Sequence, residues 1–335
     1  MDYAKERAYV GHISQLFDVR SYRLCGGRQE GVRAVDICTG SGLEVTVLPD
    51  RCMDIYQVKF QGKNLCFQSA AGITAPAYYD KEGTEWLRGF FAGFLTTCGL
   101  TTIGNGSQDE GENLGLHGRI SNTPADDFCV STELRDGVPT AVLRGVMNES
   151  VLFGNCLTLT REITCAYGGN HIRLTDIVEN VGPRTVPHMI LYHHNMGYPL
   201  ISEKASLVIP TRSVKARNAY SAQNLSLWKQ IDQPEQNAQE RCYYHELEAG
   251  EDGMTVVGID NPAENLRIRL HFSTRELPYF IQWRMLGERE YVIGLEPGNA
   301  PIEGRAAARK DGVLPFLEPG EKRAYHLDIE AGNCL

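Results

Sequence analysis

Leu157-Thr-Leu-Thr-Arg-Glu-Ile-Thr-Cys-Ala-Tyr167, then Gly168-Gly-Asn170, then His171-Ile-Arg-Leu-Thr-Asp-Ile-Val-Glu-Asn180 is the stretch that decides the fold class. From Leu157 to Ala166 polar and apolar residues alternate with period two. That is the repeat of an extended strand with one face buried, because successive side chains point to opposite faces. Gly-Gly-Asn is a short reversal with residues that tolerate unusual backbone angles, so the stretch reads as a β-hairpin. Hairpins in series imply antiparallel sheets.

Further strand-like runs flank this hairpin at short spacing. Upstream lie Val138–Met147 and the run Arg33–Leu48, where Thr39-Gly-Ser-Gly42 reads as another hairpin turn. No Gly-Lys-Ser/Thr follows that turn and no helix pattern opens after it, which rejects a phosphate loop. Asp50–Leu65 holds a further strand with alternation from Ile55 to Phe60. Downstream come Pro187–Leu200, Met254–Ile259, Leu266–Phe272, Tyr279–Met285, Tyr291–Asn299 and a closing run, Ala324–Glu330. Residues 211–245 read as a polar excursion around Trp228, and residues 1–30 as a lead-in segment. The fold class is all-β: large antiparallel sheets and few short helices, forming one domain over residues 1–335.

Composition narrows the function classes. A net charge of −9 over 335 residues argues against nucleic-acid binding, which rests on clustered Lys and Arg. Arg212, Lys215 and Arg217 form the one modest basic cluster and read as a solvated face. Hydrophobic residues at 42% and charged residues at 22% are ordinary for a globular protein. No apolar run is long enough for a membrane span, and the first residues lack the apolar centre of a signal peptide. The expected location is the cytoplasm. The ten cysteines have no Cys-x-x-Cys pair, and most are expected to be reduced and buried.

Candidate site residues fall in three places. His117 lies in Leu114-Gly-Leu-His-Gly-Arg-Ile-Ser-Asn122, where glycines let backbone approach a ligand and Arg119 adds a cation. The strand Pro187–Leu200 ends in His193, His194 and Asn195; alternation sends His193 and Asn195 to one face and Tyr192 and His194 to the other. Glu296 follows Gly294 on one strand face, and the missing side chain leaves room beside the carboxylate. Arg51 and Asp54, at the entrance of a strand, are either a local ion pair or a polar wall of a pocket.

Leu-His-Gly around His117, Tyr-His-His-Asn-Met-Gly-Tyr-Pro from Tyr192 to Pro199, and Gly-Leu-Glu-Pro-Gly-Asn around Glu296, in this order and spacing, resemble the aldose 1-epimerase (galactose mutarotase-like) superfamily. The closest likeness is to its aldose-epimerase-like branch. The resemblance spans nearly the whole chain and implies a β-supersandwich with an open sugar-binding face. It also implies roles: Glu296 as general base, His193 as general acid, and His117 holding the sugar near its ring. One family feature is missing, an arginine shortly before Leu-His-Gly; near Gly93-Phe94 there is none, and Arg51 or Arg119 would have to replace it. Asp54 and Asp260 are the available partners for sugar hydroxyls, with Asn195 and His194 beside them. Trp283 or Phe90 would stack on the apolar sugar face.

The function so implied is an isomerase that interconverts anomers of a monosaccharide or sugar derivative by acid/base ring opening, with no metal and no cofactor. A homodimer is a possible assembly. Two other readings stay open at this point. His117, His193 or His194, and Glu296 could form an N/N/O metal set of a metal-dependent sugar isomerase. Alternatively the chain could be a carbohydrate-binding protein without turnover.

Overall fold

Three antiparallel sheets carry most of the chain, which the computed structural model describes from residue 3 to residue 334. The hairpin that decides the fold class forms as read: Leu157 to Thr164 pairs with Arg173 to Asn180 in uninterrupted antiparallel register. It lies inside an eight-stranded sheet. The order is Ala125–Arg135, Val138–Ser150, Cys156–Ala166, His171–Asn180, Lys322–Gly332, Leu266–Ser273, Met254–Asn261 and Ser206–Val208. Along His171–Asn180 and Leu266–Ser273 every second residue is buried, as a sheet with one wet face requires.

A six-stranded sheet runs in the order Thr211–Ala216, Arg241–Leu247, Tyr279–Gly287, Glu290–Gly298, Met189–Met196 and Leu95–Leu100. Its inner strands lack the alternation because both faces are covered: all eight residues of Met189–Met196 and all six of Leu95–Leu100 are buried. This explains why Pro187–Leu200 reads as a continuous apolar run. A five-stranded meander, Asp18–Arg23, Arg33–Cys38, Leu43–Leu48, Asp54–Phe60 and Lys63–Asn64, forms the third sheet, and three two-stranded pairs are smaller. One hydrophobic cluster unites the three sheets, with Ile163, Leu174 and Leu327 meeting Tyr192 and Leu295 and also Val45 and Val58. Each such side chain contributes about 1.5–3 kcal/mol on burial. The α-helices among the described residues are three and short: Tyr3–Arg7, Ala219–Ala222 and Arg305–Lys310.

Two expectations change. The lead-in is structural, since Phe17 enters the core and Asp18–Arg23 pairs with the next strand. The polar excursion of residues 211–245 begins and ends in paired strands at the edge of the six-stranded sheet. Five cysteines are buried (Cys52, Cys66, Cys98, Cys165, Cys242), while Cys25, Cys38 and Cys129 are exposed. Among the described residues no helix is long and apolar enough to cross a membrane.

The centre of the fold holds a charge. Arg161, fully buried, makes a two-point contact with Asp176 at 2.8 and 2.7 Å within the eight-stranded sheet. It also donates to Asp54 of the meander at 3.1 Å and to Thr97 Oγ1 of the six-stranded sheet at 2.9 Å. Tyr192, next to His193, donates its hydroxyl to Asp176 at 2.7 Å. Asp54 accepts from the backbone N–H and the hydroxyl of Thr97. Removing one partner from such a network strands a buried charge, at a cost of about 3–5 kcal/mol. Asp176→Ala should therefore lower unfolding stability by about that amount in urea titration. A loss below about 1 kcal/mol would show that the network contributes little.

Candidate functional site

Tyr192 points at Asp176, so alternation turns His193 to the opposite face of the sheet, where it meets Glu296. The two rise from neighbouring strands, Met189–Met196 and Glu290–Gly298. His193 Nε2 lies 3.3 Å from Glu296 Oε1. Both residues are buried, at 6% and 1% exposure, and both line a cavity of about 190 Å3. Space for the carboxylate comes from Gly294: a Cβ there would sit 2.2 Å from Glu296 Oε1 and 3.1 Å from Trp283 Cβ.

His117 enters from a loop whose backbone is tied on both sides. Its N–H donates to Gly104 O at 2.8 Å, and its carbonyl accepts from Gly99 N at 3.0 Å. The loop packs so closely that a Cβ on Gly118 would lie 2.3 Å from Gly99 O. His117 itself has φ +56, a left-handed conformation that costs a non-glycine residue about 1 kcal/mol or more. Gly104 N–H donates to its Nδ1 at 3.4 Å, which leaves the ring proton on Nε2.

Aromatic rings enclose the two imidazoles. His193 has Phe90, Trp283 and His117 edge-on at 5.4, 5.5 and 5.6 Å between centroids. Trp86 lies 4.9 Å from His117 and stacks on Phe90. Two charged side chains stand at the wall. Glu240 accepts from Trp283 Nε1 at 2.8 Å; Arg217 donates to Asn105 at 2.9 Å and to Glu303 at 3.3 Å.

Burial sets the protonation. It pushes the Glu296 carboxyl well up, with Arg217 opposing and Glu240 adding. It pushes the His193 imidazole well down, with His117 and His194 adding, and holds His117 at about 4, helped by Arg217. Glu296 Oε1 and His193 Nδ1 have no hydrogen-bond partner among the described residues. Two orphaned titratable groups facing a cavity can exchange protons with the hydroxyls of a bound molecule. No group of three or more His, Cys, Asp or Glu side chains among the described residues is arranged to hold a metal ion.

Residues 29–331 match the family model described as "Domain of unknown function (DUF4432)". The chain belongs to this family. Among solved structures, this DUF4432 protein resembles a candidate aldose 1-epimerase from Klebsiella pneumoniae, with TM-score 0.91 and 26% identity over 96% of this chain and 86% of that one. A galactose mutarotase-like protein from Clostridium acetobutylicum aligns with TM-score 0.67 and 14% identity over 96% and 100% of the two chains. For galactose 1-epimerase from Lactobacillus acidophilus the values are 0.62, 13%, 95% and 100%. No curated protein matches the sequence. The fold is the galactose mutarotase-like sandwich, as the resemblance implies.

The DUF4432 structure brings together His117, His193, Glu296, Trp283 and Phe90. It removes the other expected residues. Arg51, 1% exposed, donates to the carbonyls of Ser121, Thr74 and Gly89, so it clamps loops. Asp54 belongs to the Arg161 network. His194 faces the core, its Nδ1 between the carbonyls of Tyr192 and Leu295. Asn195, fully buried, donates to the carbonyls of Ala92 and His193. Asp260 pairs with Arg269. Arg119 leaves the cavity altogether, its guanidinium lying over Tyr79. The cation at the cavity wall is Arg217, from the cluster read as a solvated face; Glu240 and Trp86 also escaped the sequence reading. Their signal was weak, since each is a single side chain in a loop or at a sheet edge.

Burial of Glu296 has a measurable consequence. Its folded pKa is raised above the ordinary 4.5, so its ionisation opposes folding, and stability falls as pH rises from that value toward the folded pKa. Glu296→Gln should be more stable than wild type, with a gap in melting temperature that widens between about pH 5 and 8. A gap independent of pH would mean that the carboxyl titrates normally.

Proposed function

We propose that this protein is a carbohydrate-binding aldose 1-epimerase-like isomerase that interconverts sugar anomers by general acid/base ring opening. The observation that carries the proposal is the buried His193–Glu296 pair, 3.3 Å apart, lining an aromatic-walled cavity. The shared fold with a galactose 1-epimerase and a candidate aldose 1-epimerase supports it.

Ring opening needs one proton taken from the anomeric hydroxyl and one given to the ring oxygen. In the ion-pair form of the two, the minor form while both are buried, Glu296 as carboxylate takes the first and His193 as imidazolium gives the second. The pair then stands as neutral acid and neutral imidazole, the form that burial favours. After the carbonyl carbon turns its other face, the protons return and the ring closes as the opposite anomer. Both states hold the same number of protons, so the pair cycles without exchange with solvent.

The remaining groups bind and orient. His117 Nε2–H donates to a sugar oxygen, Arg217 and Glu240 meet hydroxyls, and Trp283 and Phe90 cover the apolar face. Proton transfer by each positioned group is worth roughly 10²–10⁴ in rate. Glu296→Gln should therefore slow anomer exchange roughly 10²–10⁴-fold, read by NMR saturation transfer across a panel of aldoses, ketoses and uronic acids. Exchange at the wild-type rate in that variant would remove Glu296 as base. A wild-type protein that binds a sugar without exchanging its anomers would leave only the binding role. Chelator treatment should not change the rate; a loss restored by added metal would favour the metal-dependent reading.

A further inference from the structure

His117 and Arg119 leave the same tight loop toward different cavities. Arg119 lines a second cavity of about 400 Å3 on the far side of the loop, together with Tyr79, Lys81, Thr101, Thr102 and Glu149. The guanidinium lies 5.9 Å from the centre of the Tyr79 ring, and Tyr79 is itself fixed by its hydroxyl donating to Gly118 O at 3.2 Å. Among the described residues neither Arg119 nor Lys81 makes an ion pair, although Arg119 is hydrogen-bonded to Tyr79 and attracted by Glu149.

The carboxylates at this cavity offset the two cations only in part: Glu149 attracts Arg119 but makes no ion pair with it. Glu112 is paired with Arg305 at 2.7 Å. Glu149, only 8% exposed, accepts from Leu100 N at 3.3 Å, and burial raises its pKa to about 7, so much of it is uncharged near neutral pH. A second, independent feature points to a ligand. Thr102 lines the cavity at 2% exposure, and its Oγ1 has no partner. Buried hydroxyls normally find one. Two cations without an ion-pair partner, beside an orphaned hydroxyl and the Tyr79 ring, form an acceptor-seeking surface.

We propose that this second cavity binds a small oxyanion, the carboxylate or phosphate group of a metabolite, held by Arg119 and Lys81 with Thr102 Oγ1–H donating to it. The site is separate from the His193–Glu296 cavity and takes its ligand independently of any sugar chemistry. A planar guanidinium meets either oxyanion with two donors, and the ammonium adds a point charge.

Isothermal titration of the intact protein with inorganic phosphate, and separately with glycerate, tests it; glycerol serves as the uncharged control. Saturable binding of phosphate identifies a phosphoryl ligand, and of glycerate alone a carboxylate. In either case Arg119→Gln and Lys81→Gln should each weaken binding about tenfold or more. Glu149→Gln, which removes a negative charge at constant shape, should tighten it. Absence of heat with both anions, equal affinity for glycerol, or unchanged affinity in both cation variants would overturn the proposal. Because the readout is binding heat, failure here leaves the anomer-exchange proposal untouched, and failure there leaves this one untouched.

Discussion

The Arg161 network constrains every sheet at once. A guanidinium out of water must fill its donors, and it does so with Asp176, Asp54, the Cys52 carbonyl and Thr97, drawn from different layers of the molecule. Because Tyr192 also binds Asp176, the phase of the strand Met189–Met196 is set from beneath. A slip of one residue would bring His193 to the charge cluster and Tyr192 to the cavity. The buried ions thus specify which face of a doubly covered strand carries the His193 imidazole, where hydrophobicity alone would not distinguish the faces.

On the other side of that strand the balance is reversed. Below the sheet charges are paired; above it Glu296 and His193 each lack a partner for one atom. Such groups cost stability for as long as they lack hydrogen bonds. Gly294 and the aromatic rings shape the cavity beside the Glu296 carboxyl.

Much of the fold was legible because strand period and turn residues are local signals. Leu157–Asn180 announced its hairpin, and Val292, Gly294 and Glu296 their common face. The three motifs with His117, His193 and Glu296 were legible too, since each sits on or beside a regular strand. Charge partners were not. Arg161 appeared only as one polar position in an alternating strand, while Arg51 and Asp54 looked equally suited to an ion pair or a pocket. In fact Arg51 is spent on backbone carbonyls and Asp54 on Arg161, a choice decided by residues far away in sequence. Arg217 and Glu240 were hidden for the same reason: their segment looks polar and irregular, and only the pairing of Thr211–Ala216 with Arg241–Leu247 folds it over the cavity.

The double coverage of the central strands also divides the site in time. Glu296 and His193 are carried by backbone whose amides are hydrogen-bonded inside a six-stranded sheet and shielded on both faces. Such amides exchange with deuterated solvent only through large-scale opening of the protein. Trp86 and Phe90, in contrast, are borne by the 3-10 turn Glu85–Gly89 and its C-cap, where Leu87 is 50% exposed. The pair's spacing is therefore fixed by the sheet interior, while its aromatic neighbours Trp86 and Phe90 hang on a turn that reaches the surface.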